Sequence, residues 1–244
     1  MLVVIQQLDR EGWGPVVDRL SREREVVAVD LPGFGDSPPF PQGTTPTVAA
    51  LADAVIAWLR AAGLGRPPVA GNSLGGAVAI EMARADAVGS ATALSPIGLW
   101  TRPEAIYATG SLRLAGMFAR AVDHRTQLVA GNPVGRTLAF WQLAARPWAV
   151  PEQTARDALH NLARSPGFEA TRRAVRTYRL TSFVPKVPVT IAWGTRDLLT
   201  PPHQARRAAR RLPQAHHVSL KGCGHSPMSD DREAVADLVL TGSG

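Results

Sequence analysis

Three residues able to do chemistry, a serine, an aspartate and a histidine, each stand just past a short apolar run in this chain. Ser73 lies in Gly71-Asn72-Ser73-Leu74-Gly75-Gly76, after the strand-like Pro67-Pro68-Val69-Ala70 and before the helix-like Ala77-Val78-Ala79-Ile80-Glu81-Met82-Ala83. A serine on a tight strand-to-helix turn is held in a strained backbone conformation, a nucleophile elbow, and its neighbours two residues away must be tiny to clear the turn. Gly71 and Gly75 meet that demand, and Gly76 and Ala77 let the helix lie close to the strands. The start of a helix also favours developing negative charge beside the serine. The competing reading is a glycine-rich turn with an incidental serine; strand before, helix after and the extra glycine argue for a nucleophile.

An alcohol near neutral pH needs a base to become nucleophilic, and the base needs a carboxylate to orient it. Asp197 follows the run Ile191-Ala192-Trp193-Gly194-Thr195-Arg196 and precedes Pro201-Pro202. His225 follows Ser219-Leu220-Lys221, in a loop where Gly222 and Gly224 permit a sharp excursion. If the three runs are strands of one parallel sheet, Ser73, Asp197 and His225 emerge at the same edge, where ligands bind in open sheets of this type. Other candidates read more plainly. His124, His160 and His203 fall in helical segments as surface or packing residues, and one of His216 and His217 must turn sideways into a helix layer. Asp30 precedes the serine and is expected to fix a turn, while Asp230 and Asp231 read as the N-cap and first turn of the last helix. Cys223 lacks an elbow, and no His/Asp/Glu cluster has metal-ligand spacing, so no metal and no cofactor are expected.

The elements that must position these residues alternate. Strands are expected at Val3–Ile5, Glu25–Asp30, Pro68–Gly71, Ala91–Leu94, Val187–Trp193 and His216–Leu220. Helical spacing lies between most of them, as in Val48, Leu51, Val55, Ile56 and Leu59 behind a Thr47 N-cap. The alternation predicts an α/β fold, a mostly parallel sheet flanked by helices. The span 97–186 breaks the rhythm: it is helix-like, punctuated by prolines, and reads as a cap inserted into a core made of 1–96 and 187–244.

Composition bounds the rest. The 244 residues are 45% hydrophobic, and a core of sizeable extent is within their reach. The one cysteine excludes an intrachain disulfide. Nothing approaches the roughly 20 apolar residues of a membrane span, nor does the start read as a signal peptide. A cytoplasmic protein without a membrane partner is expected. The net charge of +7 comes almost wholly from arginines that are spread along the chain with no interleaved aromatics, so nucleic acid is not an expected partner. Arg172, Arg176 and Arg179 share one helix face, read as solvated, and Arg206, Arg207, Arg210 and Arg211 read as the outer face of another.

Taken in order, Asp30–Ser37 (D-L-P-G-F-G-D-S), Gly71–Gly76 (G-N-S-L-G-G), Trp193–Asp197 (W-G-T-R-D) and Gly222–Met228 (G-C-G-H-S-P-M) resemble an α/β-hydrolase with a helical cap, over nearly the whole chain. The resemblance implies that Ser73 attacks, that His225 serves as base and then acid, and that Asp197 orients His225. Serine members of that family cleave esters, lactones, amides or C–C bonds of diketones, or carry out perhydrolysis. Epoxide hydrolases and haloalkane dehalogenases of this fold carry an aspartate at the elbow, so Ser73 argues against both reactions.

The start of the chain departs from the pattern. Such proteins usually open with two more strands, and the next strand ends in a His-Gly pair whose loop supplies one oxyanion amide; the other comes from the residue after the nucleophile, here Leu74. In this chain Gln6-Gln7 stands where His-Gly is expected, which leaves Gln7 or Leu8 as the second donor. Losing one such donor typically costs ~100- to 1,000-fold in rate. Three readings stay open: a re-routed working loop, a truncated or mis-started reading frame, and a weakened or non-catalytic member. Without the two strands, Glu25–Asp30 would be an exposed edge.

The inserted span is rich in large apolar residues, most of which are expected to dock it on the sheet. Trp100, Trp141 and Trp148, with Phe34 and Asn72 from the core, are candidates to line a pocket for an apolar or aromatic acyl group. The first expectation is a cofactor-independent carboxylic-ester hydrolase acting on a small molecule. The alternatives are hydrolysis of a C–C bond in a vinylogous diketone and a ligand-binding protein that keeps the fold without turnover.

Overall fold

In a computed structural model, which describes residues 1–6 and 13–243, six strands form one sheet in the order β2-β1-β3-β4-β5-β6, with every neighbouring pair parallel. The strands are β1 (Leu2–Gln6), β2 (Val26–Asp30), β3 (Pro68–Asn72), β4 (Ser90–Leu94), β5 (Val189–Gly194) and β6 (His216–Leu220). Their β-branched and small apolar residues suit a sheet covered on both faces. Successive residues of β1 serve opposite layers: Val3 and Ile5 pack with Leu51, Val55 and Ile80, whereas Leu2 and Val4 pack with Trp13, Val16 and Val235. That is the period of two of a strand side chain. Helices α2 (Val48–Ala61) and α3 (Leu74–Arg84) therefore cover one face, and α1 (Gly14–Leu20) and α11 (Arg232–Gly242) the other. Thr47 caps α2 as expected, accepting from Ala50 N at 3.1 Å.

The chain passes from β1 outward to β2, then returns to place β3 on the other side of β1. That reversal opens a crevice at the carboxyl ends of β1 and β3, and Ser73 directly follows β3. β2 is an edge strand and is only partly buried along most of its length.

Between β4 and β5 the described residues hold only helices: α4 (Arg102–Val122), α5 (Thr126–Ala130), α6 (Pro133–Phe140), α7 (Glu152–Arg164), α8 (Phe168–Val175) and short 3₁₀ turns. α4 starts on a capping box, in which Thr101 N donates to Glu104 Oε2 at 2.6 Å and Glu104 N donates back to Thr101 Oγ1 at 3.5 Å. Gly33 of the core and Gly167 of this segment meet backbone to backbone, with Gly167 N donating to Gly33 O at 2.8 Å. A Cβ on Gly33 would stand 2.7 Å from the Gly167 Cα. After β5 come α9 (His203–Arg211) and, after β6, the short α10 (Pro227–Asp230).

Two sequence expectations change here. Asp231 is the N-cap of α11, accepting from Ala234 N at 3.0 Å, but Asp230 is not part of that cap. Its buried carboxylate accepts from Gly224 N at 2.8 Å and from Ala145 N at 3.0 Å, so it ties the His225 loop to the helical insertion. The arginines of α9 also divide. Arg206 and Arg210 are exposed, whereas Arg211 donates to Gly98 O and Leu180 O, and Arg207 to Leu99 O and Glu104. One side of that helix therefore holds both ends of the insertion instead of facing solvent.

Candidate active site

Ser73 sits at φ 55°, ψ −113°, in the left-handed half of backbone space that few side chains enter. Glycine neighbours make the turn possible: a Cβ on Gly71 would come within 2.3 Å of the Gly75 carbonyl, and one on Gly75 within 2.4 Å of the Ile5 oxygen. The second clash is with β1, so Gly75 also sets how closely α3 approaches the sheet. Ser73 N donates to Leu94 O at 2.8 Å, which anchors the turn on β4. Leu74 opens α3, where its N–H has no acceptor within the helix.

Asp197 is buried past the end of β5. Its Oδ1 accepts from Leu199 N at 2.9 Å and Thr200 N at 2.8 Å, and its Oδ2 accepts from the Thr200 hydroxyl at 2.7 Å. His225 Nδ1 lies 2.9 Å from the same Oδ2. Burial pushes the Asp197 carboxyl up, but the facing His225 and the hydrogen bonds from His225 and Thr200 outweigh it and hold the group below its ordinary value. A carboxylate beside Nδ1 keeps the proton on that nitrogen, so a neutral ring presents the lone pair of Nε2. That Nε2 is buried and has no hydrogen-bond partner among the described residues.

Two further contacts aim the histidine. Asn72 Nδ2 donates to the His225 carbonyl at 2.9 Å and to Leu94 O at 3.1 Å. A Cβ on Gly194 would fall 2.2 Å from the Gly224 oxygen, so the loops carrying Asp197 and His225 are in backbone contact.

Ser73 and His225 share the wall of a cavity of about 270 Å³ beneath the helical insertion. Most of the rest of the described wall is apolar, with Leu112 and Phe118 from α4, Leu159 from α7, Phe168 from α8, and Leu199; polar groups come from Asn72, Ser111, Gln142 and Ser226, and among the described residues no Asp, Glu, Lys or Arg takes part. A smaller space of about 20 Å³ lies beside Ser73 and Leu74, walled by Ile97, Trp100 and Arg172.

The expected lining residues fare unevenly. Trp141 is half-exposed on the main cavity, and Trp100 walls the smaller one while its Nε1 donates to Tyr178 O at 3.1 Å. Phe34 is wholly buried in the core and lines neither space. Trp148 also lines neither; it is half-exposed on a 3₁₀ turn held by Arg136, which donates to the Trp148 carbonyl at 2.9 Å. Asn72 touches the cavity, but its amide hydrogens are committed to backbone. Arg172 is not a solvated residue: it pairs with Glu169 at 2.6 Å and donates to Thr109 O at 3.2 Å. Gln7 and Leu8 lie outside the described residues. Thr200 was not singled out from sequence, where a threonine three residues past the aspartate was the one local sign, and Asp230 was read there only as part of a helix cap.

The profile of the alpha/beta hydrolase family matches residues 8–238. A pimeloyl-[acyl-carrier protein] methyl ester esterase of Neisseria meningitidis serogroup B is 28% identical over 93% of this chain and 88% of its own length. Epoxide hydrolase EphH of Mycobacterium tuberculosis is 30% identical over 79% of this chain and 93% of its own. Among solved structures, a thermophilic esterase from Thermogutta terrifontis superposes with a TM-score of 0.75 at 24% identity, over 99% of this chain and 88% of that one.

Proposed function

Since the chain belongs to the alpha/beta hydrolase family, we propose that it cleaves a carboxylic ester through an acyl-enzyme on Ser73, with residues 97–186 as the cap over the substrate. The observation that carries this reading is the buried, unpartnered Nε2 of His225, oriented by Asp197 on the same cavity wall as the Ser73 hydroxyl.

In this mechanism His225 Nε2 takes the Ser73 proton as Oγ attacks the ester carbonyl, and Asp197 stabilises the imidazolium that results. The Leu74 N–H, free at the start of α3, holds the oxyanion. The C–O bond to the alcohol then breaks and His225 hands its proton to the leaving oxygen. Water, deprotonated by the same nitrogen, attacks the acyl-serine carbonyl; the C–Oγ bond breaks, His225 returns the proton to Ser73 Oγ, and the acid is released. The largely apolar lining among the described residues suits a neutral, apolar acyl chain, and a methyl ester such as the one in the name of the Neisseria relatives asks little room of the alcohol side.

The epoxide hydrolase relative marks a different chemistry. A carboxylate that opens an epoxide forms an ester, which water can cleave at its carbonyl. Ser73 would form an ether with no carbonyl to attack, so turnover would stop. This is a chemical reason to prefer acyl transfer here.

The test is hydrolysis of p-nitrophenyl acetate and butyrate beside a Ser73→Ala control, together with labelling by a fluorophosphonate. Turnover and labelling that both vanish in Ser73→Ala support the reading. Labelling without ester turnover points to the C–C bond alternative; an intact protein that does neither is a binding protein.

A further inference from the structure

The first cap helix is built inside out. α4 turns small residues inward, with Ala105, Ala108, Thr109, Gly116 and Ala119 buried, and leaves four of its large apolar residues in solvent. Ile106, Leu114, Met117 and Phe118 are all exposed. At 100° per residue these four fall on one side of the helix. Arg102, Arg113 and Arg120 run in a row along the border of that stripe, all exposed. No ion pair neutralises them among the described residues, while the acids at the two ends of the helix are engaged elsewhere: Glu104 with Arg207 and His203, Asp123 with Arg164 and His160. α6 adds a second exposed stripe at helical spacing, Val134 and Leu138 running into Trp141.

The two stripes meet at the site. Leu114, Phe118, Leu138 and Trp141 line the cavity that holds Ser73 and His225, yet are 38% to 68% exposed, so they form its rim. Contiguous exposed apolar surface of this kind marks an interaction site in a soluble fold. An apolar stripe bordered by arginines is the pattern of a helix that lies in the plane of an anionic lipid surface.

We propose that the α4–α6 face docks on an anionic lipid surface, with Leu114, Met117 and Phe118 entering the acyl boundary and Arg113 and Arg120 meeting phosphate headgroups. The cavity rim then opens into lipid, and a membrane-dissolved ester reaches Ser73 without crossing water; this second half rests on the ester-hydrolase reading, and the docking does not. That no helix among the described residues is long and apolar enough to cross a membrane does not bear on a helix that lies flat, although no membrane partner was expected from sequence.

The probe is phosphatidylglycerol vesicles against phosphatidylcholine vesicles, with co-sedimentation of the full-length Ser73→Ala protein as the readout. Binding to phosphatidylglycerol is expected and weakens as salt rises. The Arg113→Glu/Arg120→Glu double variant is expected to bind more than about 20-fold more weakly, and Met117→Glu, at a position off the cavity wall, about tenfold more weakly. Both variants, made with Ser73 intact, should hydrolyse p-nitrophenyl acetate at the wild-type rate, which also reports that they are folded. Docking is overturned if folded protein ignores phosphatidylglycerol, if neither substitution changes binding, or if size exclusion shows a dimer that Met117→Glu dissolves, since the face would then belong to a second copy. If vesicles bind but no ester is cleaved by wild type, docking stands and the hydrolase reading falls; the reverse result removes docking alone.

Discussion

Asn72 donates its side-chain N–H to the backbone carbonyl of His225 at 2.9 Å, so the residue before the candidate nucleophile holds the loop that carries the candidate base. The second Asn72 hydrogen goes to Leu94 on the neighbouring strand, and both bonds are buried. The pair therefore fixes the distance between serine and imidazole from the elbow side, while Asp197 fixes the ring from the other.

Asn72→Ala should leave the buried His225 carbonyl without its donor, at a cost of about 1–3 kcal/mol, while Leu94 O keeps its bond from Ser73 N. With the His225 loop loosened, kcat on p-nitrophenyl butyrate is expected to fall at least about tenfold with KM little changed, and fluorophosphonate labelling to slow in parallel. An unchanged kcat would show that the loop is held without Asn72.

Thr200→Val removes the hydroxyl that donates to Asp197 Oδ2 and keeps the side-chain shape. The Asp197 carboxyl sits below its ordinary 3.8 despite burial, because His225 and the Thr200 donors favour its charged form. A depressed folded value means its contribution to stability is present above the unfolded pKa and is lost as pH falls through the folded one. Without the hydroxyl the folded value rises, so acid unfolding followed by circular dichroism should begin at higher pH in Thr200→Val. Thr200→Ser should restore the wild-type curve.

Glu104 is held at about 2, from an ordinary 4.5: burial pushes it up, and hydrogen bonds from Arg207, His203 and Thr101 more than reverse that. The clamp it makes at the start of α4 is complete above pH 4.5 and fails as pH falls toward 2. Glu104→Gln should lower Tm by a few degrees at pH 7, and the gap to wild type should close between pH 4.5 and 2. A gap that persists at the acid end would mean the loss is one of packing, not charge.

Gly75→Ala places a methyl group 2.4 Å from the Ile5 carbonyl, and neither partner is a flexible side chain. The backbone must shift, at a cost of about 1–3 kcal/mol or more. A Tm several degrees lower, with Ser73 unreactive to fluorophosphonate even where the protein is folded, is the expected result. Full labelling at wild-type rate would show that the elbow tolerates a wider turn.

Much of the fold is written in local pattern. The six apolar runs became the six strands, and Thr47 caps its helix as its position before Val48 implied. The candidate serine was legible for the same reason: glycines at 71 and 75 are demanded by a turn only a few residues long. Gln7 and Leu8, the expected second oxyanion donors, lie outside the described residues.

What spacing could not supply is the identity of partners. Helical periodicity put Arg206, Arg207, Arg210 and Arg211 on neighbouring faces, but only the folded chain decided that Arg207 and Arg211 meet the ends of the insertion and that the other two meet water. Phe34 looked like a pocket wall and is core, Asp230 looked like a cap and is a tie, and Asn72, which does touch the cavity, also braces the His225 loop. The period of a helix or strand reports where a side chain points relative to its own backbone. Which carbonyl, carboxylate or solvent it finds there depends on segments distant in the chain, and that is settled only when the surfaces close on one another.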